Sequence, residues 1–394
     1  MATQIGIGFN QLASPVQAGR RAAEHALEPL AGQAPDLVML FSTTDLDPGQ
    51  VLAGVCAVAG EVALVGGCSA GVIVPEGAFT SGVAVLALCS EEIQVIADIA
   101  PGVGQHAEEA GRALVGRLWT RKQEAYRGAN GLLLTLLSAQ DSRAMEMVAE
   151  AMGDELGPLY RLVGGGVQDP SGRINRPTFL NGEAYRDAVA AALLLTAGPV
   201  GVGVRHGYKA LGRPLVVTRA KGNILYELDG RSAFEAYVEQ FPDHPELTLQ
   251  NFGQFAVDHP LGLPQMGREY IVRDPLGAGP DGALECGGLI PEHAVVRIMA
   301  GDRETLIRSA GEAAAEAMRS LSGQRPLLAL VFSCVSRLAY LGAAAQEELA
   351  AIREVIGLET PLIGLFSFGE VAAQLDSPPT VHNKTVVVGM IGET

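Results

Sequence analysis

The sequence predicts an α/β fold of repeated, layered βαβαβ-type units with glycine-rich strand ends, plus an inserted lobe made of a hairpin and a helix. Short runs rich in Leu, Val and Ile alternate with helical patterns along the chain. Each run ends abruptly in Gly, Ser, Cys or a charged residue, which is typical of strands that are buried on both faces. The same order of elements also recurs three times. We therefore expect the chemistry of the protein to lie at the strand ends.

The composition fits a globular protein and excludes several functions. The 394 residues are 48% hydrophobic and 18% charged, and 28 basic against 44 acidic residues give a net charge of −16. This charge, without any basic run, argues against a nucleic-acid partner, because phosphate binding needs clustered Lys and Arg. Residues 1–8 lack the pattern of a signal peptide. The most apolar stretch, residues 188–204, falls short of the ~20 residues of a spanning helix. We expect a cytoplasmic protein without a membrane partner.

The cysteines indicate reduced thiols and no structural metal. They are five in number, scattered along the chain, and none forms a C-x-x-C pair. An odd and scattered set predicts neither a disulfide framework nor a zinc site. These cysteines are Cys56, Cys68, Cys89, Cys286 and Cys334.

The repeats divide the chain into two predicted domains. Residues 1–200 hold the first two copies, and residues 201–394 hold an inserted hairpin and helix lobe (201–294) followed by the third copy (295–394). We predict that Val295–Met299 is the first strand of the third copy. Asp187–Thr196 resembles a helix in its alanine content, but its place in the repeat predicts a strand.

Glycine-rich turns follow the same strand in each copy, after Val65, Val163 and Ile363. Right-handed crossovers place the ends of equivalent strands on one edge of a sheet. We therefore predict that these three turns lie near one another, and that the loops of the insert form a cover over a site.

Known catalytic and nucleotide motifs fail in their context. Gly67–Gly71 matches G-x-S-x-G around Ser69, but the β-branched, proline-containing segment that follows cannot be the helix of a nucleophile elbow. Gly201–Gly207 misses the dinucleotide fingerprint, since His206 replaces the third glycine and no helix follows. No Walker A sequence is present. A hydrolase-type enzyme that uses Ser69 or Cys334 remains an alternative.

Charged and polar residues after the strands of the third copy are the candidate ligand contacts. Arg337 and Glu370 each end an apolar strand-and-turn segment, where a guanidinium suits a carboxylate and a carboxylate suits an ammonium group. His382 and Asn383, before the last strand, add neutral hydrogen-bonding groups. Each of these residues also has a simpler interpretation as a solvated or structural side chain. The candidate ligand-binding set is completed by Cys334, Cys68, Ser69 and Gly369, and His206 is the candidate axial ligand if the cofactor is haem.

These residues resemble the FIST family of sensory domains, and the resemblance covers almost the whole chain. The first half is similar to the N-terminal domain of the family through residues 36–41, 65–71 and 163–165. The second half is similar to the C-terminal domain through residues 217–218, 222–230, 272–275, 332–335, 337, 368–370, 382–383 and 385. Two positions depart from the family pattern, since Phe368 replaces a usual Tyr and Lys384 replaces a usual Gln.

The resemblance implies a stand-alone bacterial sensor of signal transduction that binds a small molecule, with an amino acid or similar small carboxylate as the expected ligand. It also implies a separate signalling output protein as a partner, because no residues are left over for an output domain. We predict no cofactor and expect a binding protein rather than an enzyme. A haem-binding nitric oxide sensor is the first alternative, and the hydrolase is the second.

Overall fold

The structure, a computed structural model, describes residues 3–122, 130–139, 142–157, 160–169, 175–265, 269–373 and 377–394. The described chain forms three similar α/β units and an inserted lobe, and these confirm the predicted α/β class. The first unit comprises β1 (Gln4–Asn10), α1 (Pro15–Leu27), β2 (Leu37–Thr43), α2 (Pro48–Ala59), β3 (Leu64–Ser69), β4 (Val72–Val74), β5 (Gly77–Phe79) and β6 (Val83–Cys89).

The second unit repeats this order of elements. Its last strand is buried along its whole length, so the predicted strand in this alanine-rich segment is confirmed. The unit comprises β7 (Ile93–Pro101), α3 (Val103–Thr120), β8 (Asn130–Ser138), α4 (Ser142–Leu156), β9 (Tyr160–Gly166), β10 (Thr178–Leu180), β11 (Glu183–Tyr185) and β12 (Ala188–Thr196).

The third unit begins with one strand, β13 (Val200–Arg205), and is then interrupted by the insert lobe. The lobe contains β14 (Lys209–Lys221), β15 (Ile224–Leu228), β16 (Arg231–Ser232), α5 (Ala233–Val238), α6 (Phe252–Ala256), β17 (Leu261–Leu263), β18 (Ile271–Arg273), β19 (Pro275–Ala278), β20 (Leu284–Cys286) and β21 (Val295–Ala300). The unit resumes with α7 (Arg303–Ser320), β22 (Pro326–Cys334), α8 (Val335–Leu341), α9 (Ala345–Ile356), β23 (Leu362–Ser367), β24 (Glu370–Ala373), β25 (Thr380–His382) and β26 (Val386–Gly392).

One element of the predicted third copy is wrong. Val295–Ala300 pairs with β14 inside the insert sheet, whereas Val200–Arg205 pairs with β26 and takes the position of the first strand. The reason lies in the glycines of β13. A Cβ on Gly201 or Gly203 would lie 2.1 Å or 1.9 Å from backbone oxygens of α7, so the glycines allow this helix to pack directly on the strand.

The three units share one strand order and exchange hairpins in a ring. Their orders are β1-β6-β2-β3, β7-β12-β8-β9 and β13-β26-β22-β23, with only the last pair of each parallel. The hairpin that follows the third strand of each unit joins the sheet of another unit. Thus β4 pairs with β23, β10 pairs with β3, and β24 pairs with β9. Each sheet is therefore completed by a neighbouring unit, which ties the three units together.

The inner faces of the three sheets pack on one another in a shared apolar core that draws on all three units. The outer faces are covered by helix pairs, and the insert lobe has a core of its own. The glycine-rich strand ends meet as predicted. A Cβ on Gly67 would lie 2.7 Å from Val167, and one on Gly165 would lie 2.5 Å from Ser367. The fold thus gathers the carboxyl ends of the third strands at one place.

Candidate functional site

Arg337 is a structural residue that is fully enclosed by protein acceptors. Its side chain is 0% exposed at the start of α8. Its Nε and Nη2 atoms lie 2.9 Å and 2.8 Å from Glu348 Oε2, and Nη2 also donates to Leu306 O at 2.7 Å. Its Nη1 atom donates to the carbonyls of His206 and Lys384 at 2.9 Å and 3.3 Å. Every nitrogen of the guanidinium is occupied, so the predicted pairing of Arg337 with a ligand carboxylate is wrong.

Glu370 is also buried and held by its own protein. Ser367 Oγ donates to its Oε1 at 2.8 Å, and Thr385 Oγ1 donates to its Oε2 at 2.8 Å. Burial raises the pKa of this carboxyl to about 8, although the hydrogen bonds from Thr385 and Ser367 oppose the rise. The side chain is 0% exposed. Glu370 therefore cannot serve as the predicted contact for a ligand ammonium group without a rearrangement of these bonds.

The residues of the hydrolase alternative have no features of a nucleophile. Burial raises the pKa of the Cys68 thiol to about 11 and that of the Cys334 thiol to about 12. Ser69 Oγ is buried and donates to the carbonyl of Phe366 at 2.5 Å. The chain after Ser69 continues into strand β4, whereas a nucleophile elbow needs a helix there. Cys68, Ser69 and Cys334 are thus buried structural residues at the ends of their strands.

His206 lies in the interior between the third unit and the insert lobe. It is 3% exposed, and its Nδ1 atom accepts a hydrogen bond from the Tyr208 backbone at 2.9 Å. Its Nε2 atom lies 3.5 Å from Glu269. Burial, and then the Arg337 guanidinium, lowers the pKa of His206 to about 4. The Nδ1 atom of His206 is thus engaged, whereas Nε2 faces a carboxylate and has no hydrogen-bond partner among the described residues.

His382, Asn383 and Lys384 join the last strand of the third unit to the insert lobe. Asn383 Nδ2 donates to Gly287 O at 3.2 Å, and its Oδ1 accepts from Asp274 N at 3.3 Å. Lys384 is fully buried with a φ of 57°, and its Nζ lies 3.1 Å from Asp274 Oδ2 in an ion pair outside hydrogen-bonding geometry. Burial, followed by the charge of Arg273, lowers the pKa of His382 to about 3. This segment therefore fixes the position of the lobe.

A buried ion pair also connects the lobe to α4 of the second unit. Arg273 Nη2 lies 3.1 Å from Glu146 Oε1, and the same carboxylate oxygen accepts from Leu289 N at 2.9 Å. Arg273 Nη1 also donates to Val381 O at 2.9 Å. Both partners are largely buried, and loss of one member of such a pair is costly. The lobe is thus held against two units at once.

A cleft of about 100 Å³, partly open to solvent, lies where the lobe covers the strand ends. Its walls come from α4, the segment after β9, the lobe, and the β23–β25 region. Of the predicted site residues, Gly369 and Asn383 line it, whereas Arg337, Glu370, His382, Cys334, Cys68 and Ser69 do not. The cleft is lined by Ser142, Met145, Gln168, Asn223, Leu276, Glu285, Cys286, Gly287, Phe368, Gly369, Val381 and Asn383.

Gln168 is the most informative residue of the cleft, and sequence reasoning missed it. Its side chain is 4% exposed, and its Nε2 atom donates to Ala139 O at 3.0 Å. Its Oε1 atom has no hydrogen-bond partner among the described residues. A buried acceptor without a partner costs about 1–3 kcal/mol, and on the wall of a cleft a ligand donor can offset this cost. The available signal was its position, two residues after the glycines of β9.

The remaining lining groups of the cleft are partly polar and partly apolar. Glu285 is the charged residue of the lining, Asn223 donates to Cys286 O at 3.1 Å through one amide hydrogen, and Ser142 adds a hydroxyl. Ser142 begins α4, and the N-terminal end of a helix carries partial positive charge. Within the described ranges, no group of three or more His, Cys, Asp or Glu residues is placed to hold a metal ion.

This is an α/β protein of three hairpin-exchanging units with a covered cleft at their strand ends. The model of the FIST N domain matches residues 36–231, and that of the FIST C domain matches residues 233–373. The chain therefore belongs to the FIST family, as the sequence resemblance predicted. FIST domains are sensory domains of signal transduction.

Relatives and solved structures add little about the ligand. An uncharacterized protein of Mycobacterium tuberculosis, Rv0628c, is 27% identical over 392 residues, which is 96% of each chain. An uncharacterized protein of Mycobacterium bovis, Mb0898c, is 28% identical over 387 residues, 93% of this chain and 94% of the other. A cyanuric acid hydrolase structure covers 100% of both chains, but with 10% identity and a TM-score of 0.38. In the described part of the chain, no helix has the length and apolar character needed to cross a bilayer.

Proposed function

We propose that this protein is a cytoplasmic bacterial sensor that binds an amino acid or similar small carboxylate in the cleft. A separate signalling protein would receive the signal. The observation that carries this proposal is the Oε1 atom of Gln168, a buried acceptor on the wall of a covered cleft that has no hydrogen-bond partner in the described part of the chain. An acceptor in such a place suits an N–H donor of a ligand, and a charged ammonium group is the strongest such donor.

The other polar groups of the cleft are consistent with a zwitterion. Glu285 at the rim attracts an ammonium group. The start of α4 at Ser142 and the remaining amide hydrogen of Asn223 suit a carboxylate. Asn383 has its amide hydrogens directed to Gly287 O and His382 O, so it positions the lobe wall and does not contact the ligand through Nδ2.

Calorimetry with individual L-amino acids tests the proposal. We expect at least one to bind the wild-type protein, and Gln168→Leu to weaken that binding about 10- to 100-fold, because a hydrogen bond to a charged group is worth about 1.5–3 kcal/mol. The matched control is Gln105→Leu, since Gln105 is exposed on α3 and does not line the cleft. Failure of every amino acid to bind, or wild-type affinity in Gln168→Leu, would contradict the proposal.

Stability measurements show whether the Gln168 variant is folded. Gln168→Leu loses the bond from Nε2 to Ala139 O but also removes the unpartnered acceptor. The two effects oppose each other, and we expect the free energy of unfolding to change by less than about 1 kcal/mol. The weaker amino-acid binding expected of Gln168→Leu therefore occurs in a folded protein.

A further inference from the structure

One side of the cleft is apolar and is not used by the polar contacts proposed above. Met145 and Val381 are 2% and 1% exposed, and together with Phe368 they surround Gly369. A Cβ at Gly369 would lie 3.3 Å from Met145 Cε and 3.4 Å from Val381 Cγ1. Gly369 also has a φ of +82°, which favours glycine. The turn therefore packs closely against Met145 and Val381, and these side chains offer a ligand no strong hydrogen bond.

Leu276 completes this apolar side from the insert lobe. It lies on β19, and 45% of it is exposed although it lines the cleft. A large apolar side chain left to water at the mouth of a cleft gains free energy when an apolar group covers it. The polar groups Gln168, Asn223 and Glu285 complete the lining of the same cleft. The cleft therefore matches a ligand with one zwitterionic end and one apolar end.

We infer that the ligand is an amino acid with an aliphatic or thioether side chain of about the size of leucine or methionine, held against the apolar lining groups of the cleft and covered by Leu276. This inference rests on the proposed function, since it assumes that the ammonium and carboxylate groups occupy the polar side. Met145 suits this role because its unbranched thioether adapts its shape to an apolar partner. A polar side chain would lose its hydration here without regaining hydrogen bonds.

The first test is a calorimetric series of glycine, alanine, 2-aminobutyrate, norvaline, leucine and methionine, with serine and glutamate as polar comparisons. Each added methylene that enters the apolar side should tighten binding about fourfold, and the polar amino acids should bind more weakly than leucine. Equal affinity across the series, or tighter binding of glutamate, would overturn the inference while leaving the proposed sensor intact. If no member of the series binds but another amino acid does, this inference fails alone; if no amino acid binds, the proposed function fails with it.

The second test replaces Leu276, the residue inferred to cover the ligand side chain. Leu276→Ser should weaken leucine binding about five- to tenfold and leave glycine binding nearly unchanged, because only the longer side chain reaches position 276. Leu276 is already half exposed, so the variant should fold. The matched control is Val295→Ser, an exposed apolar residue of the same lobe outside the cleft, which should change neither affinity. Equal losses for glycine and leucine in Leu276→Ser would contradict a side-chain role for Leu276.

Discussion

Two buried polar side chains of this molecule differ in whether the protein satisfies their hydrogen-bonding groups. Every nitrogen of the Arg337 guanidinium has an acceptor from the chain. In the cleft, the Oε1 atom of Gln168 has no hydrogen-bond partner among the described residues. The charge of Arg337 at a strand end predicts a ligand contact, yet each nitrogen of its guanidinium already donates to an acceptor of the chain. An unfilled hydrogen-bonding position identifies a ligand site better than a conspicuous charge does.

The largest expected effect is the loss of stability in Arg337→Ala. Removal of the guanidinium leaves the buried Glu348 carboxylate without its cationic partner and takes one donor from the carbonyls of His206 and Leu306. Breaking a buried pair in this way costs about 3–5 kcal/mol. Chemical denaturation followed by circular dichroism measures it.

An exposed arginine serves as the control for Arg337. Arg303 on α7 pairs with Glu347, and both side chains are more than half exposed, so Arg303→Ala should cost no more than about 1 kcal/mol. A loss below about 1 kcal/mol in Arg337→Ala would show that the cluster is not structural and would restore Arg337 as a candidate ligand contact.

The next effect is a pH dependence caused by Glu370. The folded pKa of about 8 lies above the ordinary value of 4.5, so the unfolded chain releases this proton first as the pH rises. Between pH 4.5 and about pH 8 the unfolded state binds fewer protons than the folded state. The contribution of Glu370 to stability therefore falls by up to about 1.4 kcal/mol per pH unit as the pH rises through this range.

Glu370→Gln tests this pH dependence. The glutamine amide can accept from Thr385 and donate to Ser367 but cannot ionise. The free energy of unfolding of the variant, relative to that of the wild type, should therefore increase as the pH rises through the same range. Urea denaturation at several pH values measures the difference. Parallel pH profiles for the two proteins would mean that the folded Glu370 titrates normally.

The smallest effect concerns the rim of the cleft. Glu285 is exposed, so Glu285→Gln should weaken the binding of an ammonium-bearing ligand only about two- to fivefold, and added salt should reduce the difference. Glu235→Gln is the control, because Glu235 is an exposed glutamate of the same lobe outside the cleft. A loss as large as that expected for Gln168→Leu would mean that the rim, and not the buried acceptor, dominates binding.

The glycines of the first strand are a further sequence signal of the repeat. Ile5-Gly-Ile-Gly in β1 and Val200-Gly-Val-Gly in β13 share one pattern, and in both strands the glycines let a helix approach the backbone. When the pattern in β13 is interpreted as part of a nucleotide motif, the predicted first strand of the third copy falls on Val295–Met299. By contrast, the strand in the alanine-rich segment of β12 was predicted correctly, because the position in the repeat outweighed local propensity.

The sequence by itself determined the class of fold, the three repeats, the convergence of their glycine-rich turns and the family. Each of these follows from local periodicity and from the handedness of crossovers, which short segments encode. Only the tertiary structure decided which hairpin completes which sheet, that Arg337 is satisfied by carbonyls as distant as His206, and that Gln168 is not satisfied. Hydrogen-bond satisfaction depends on groups that come together from separate units, so no single segment of the sequence contains it.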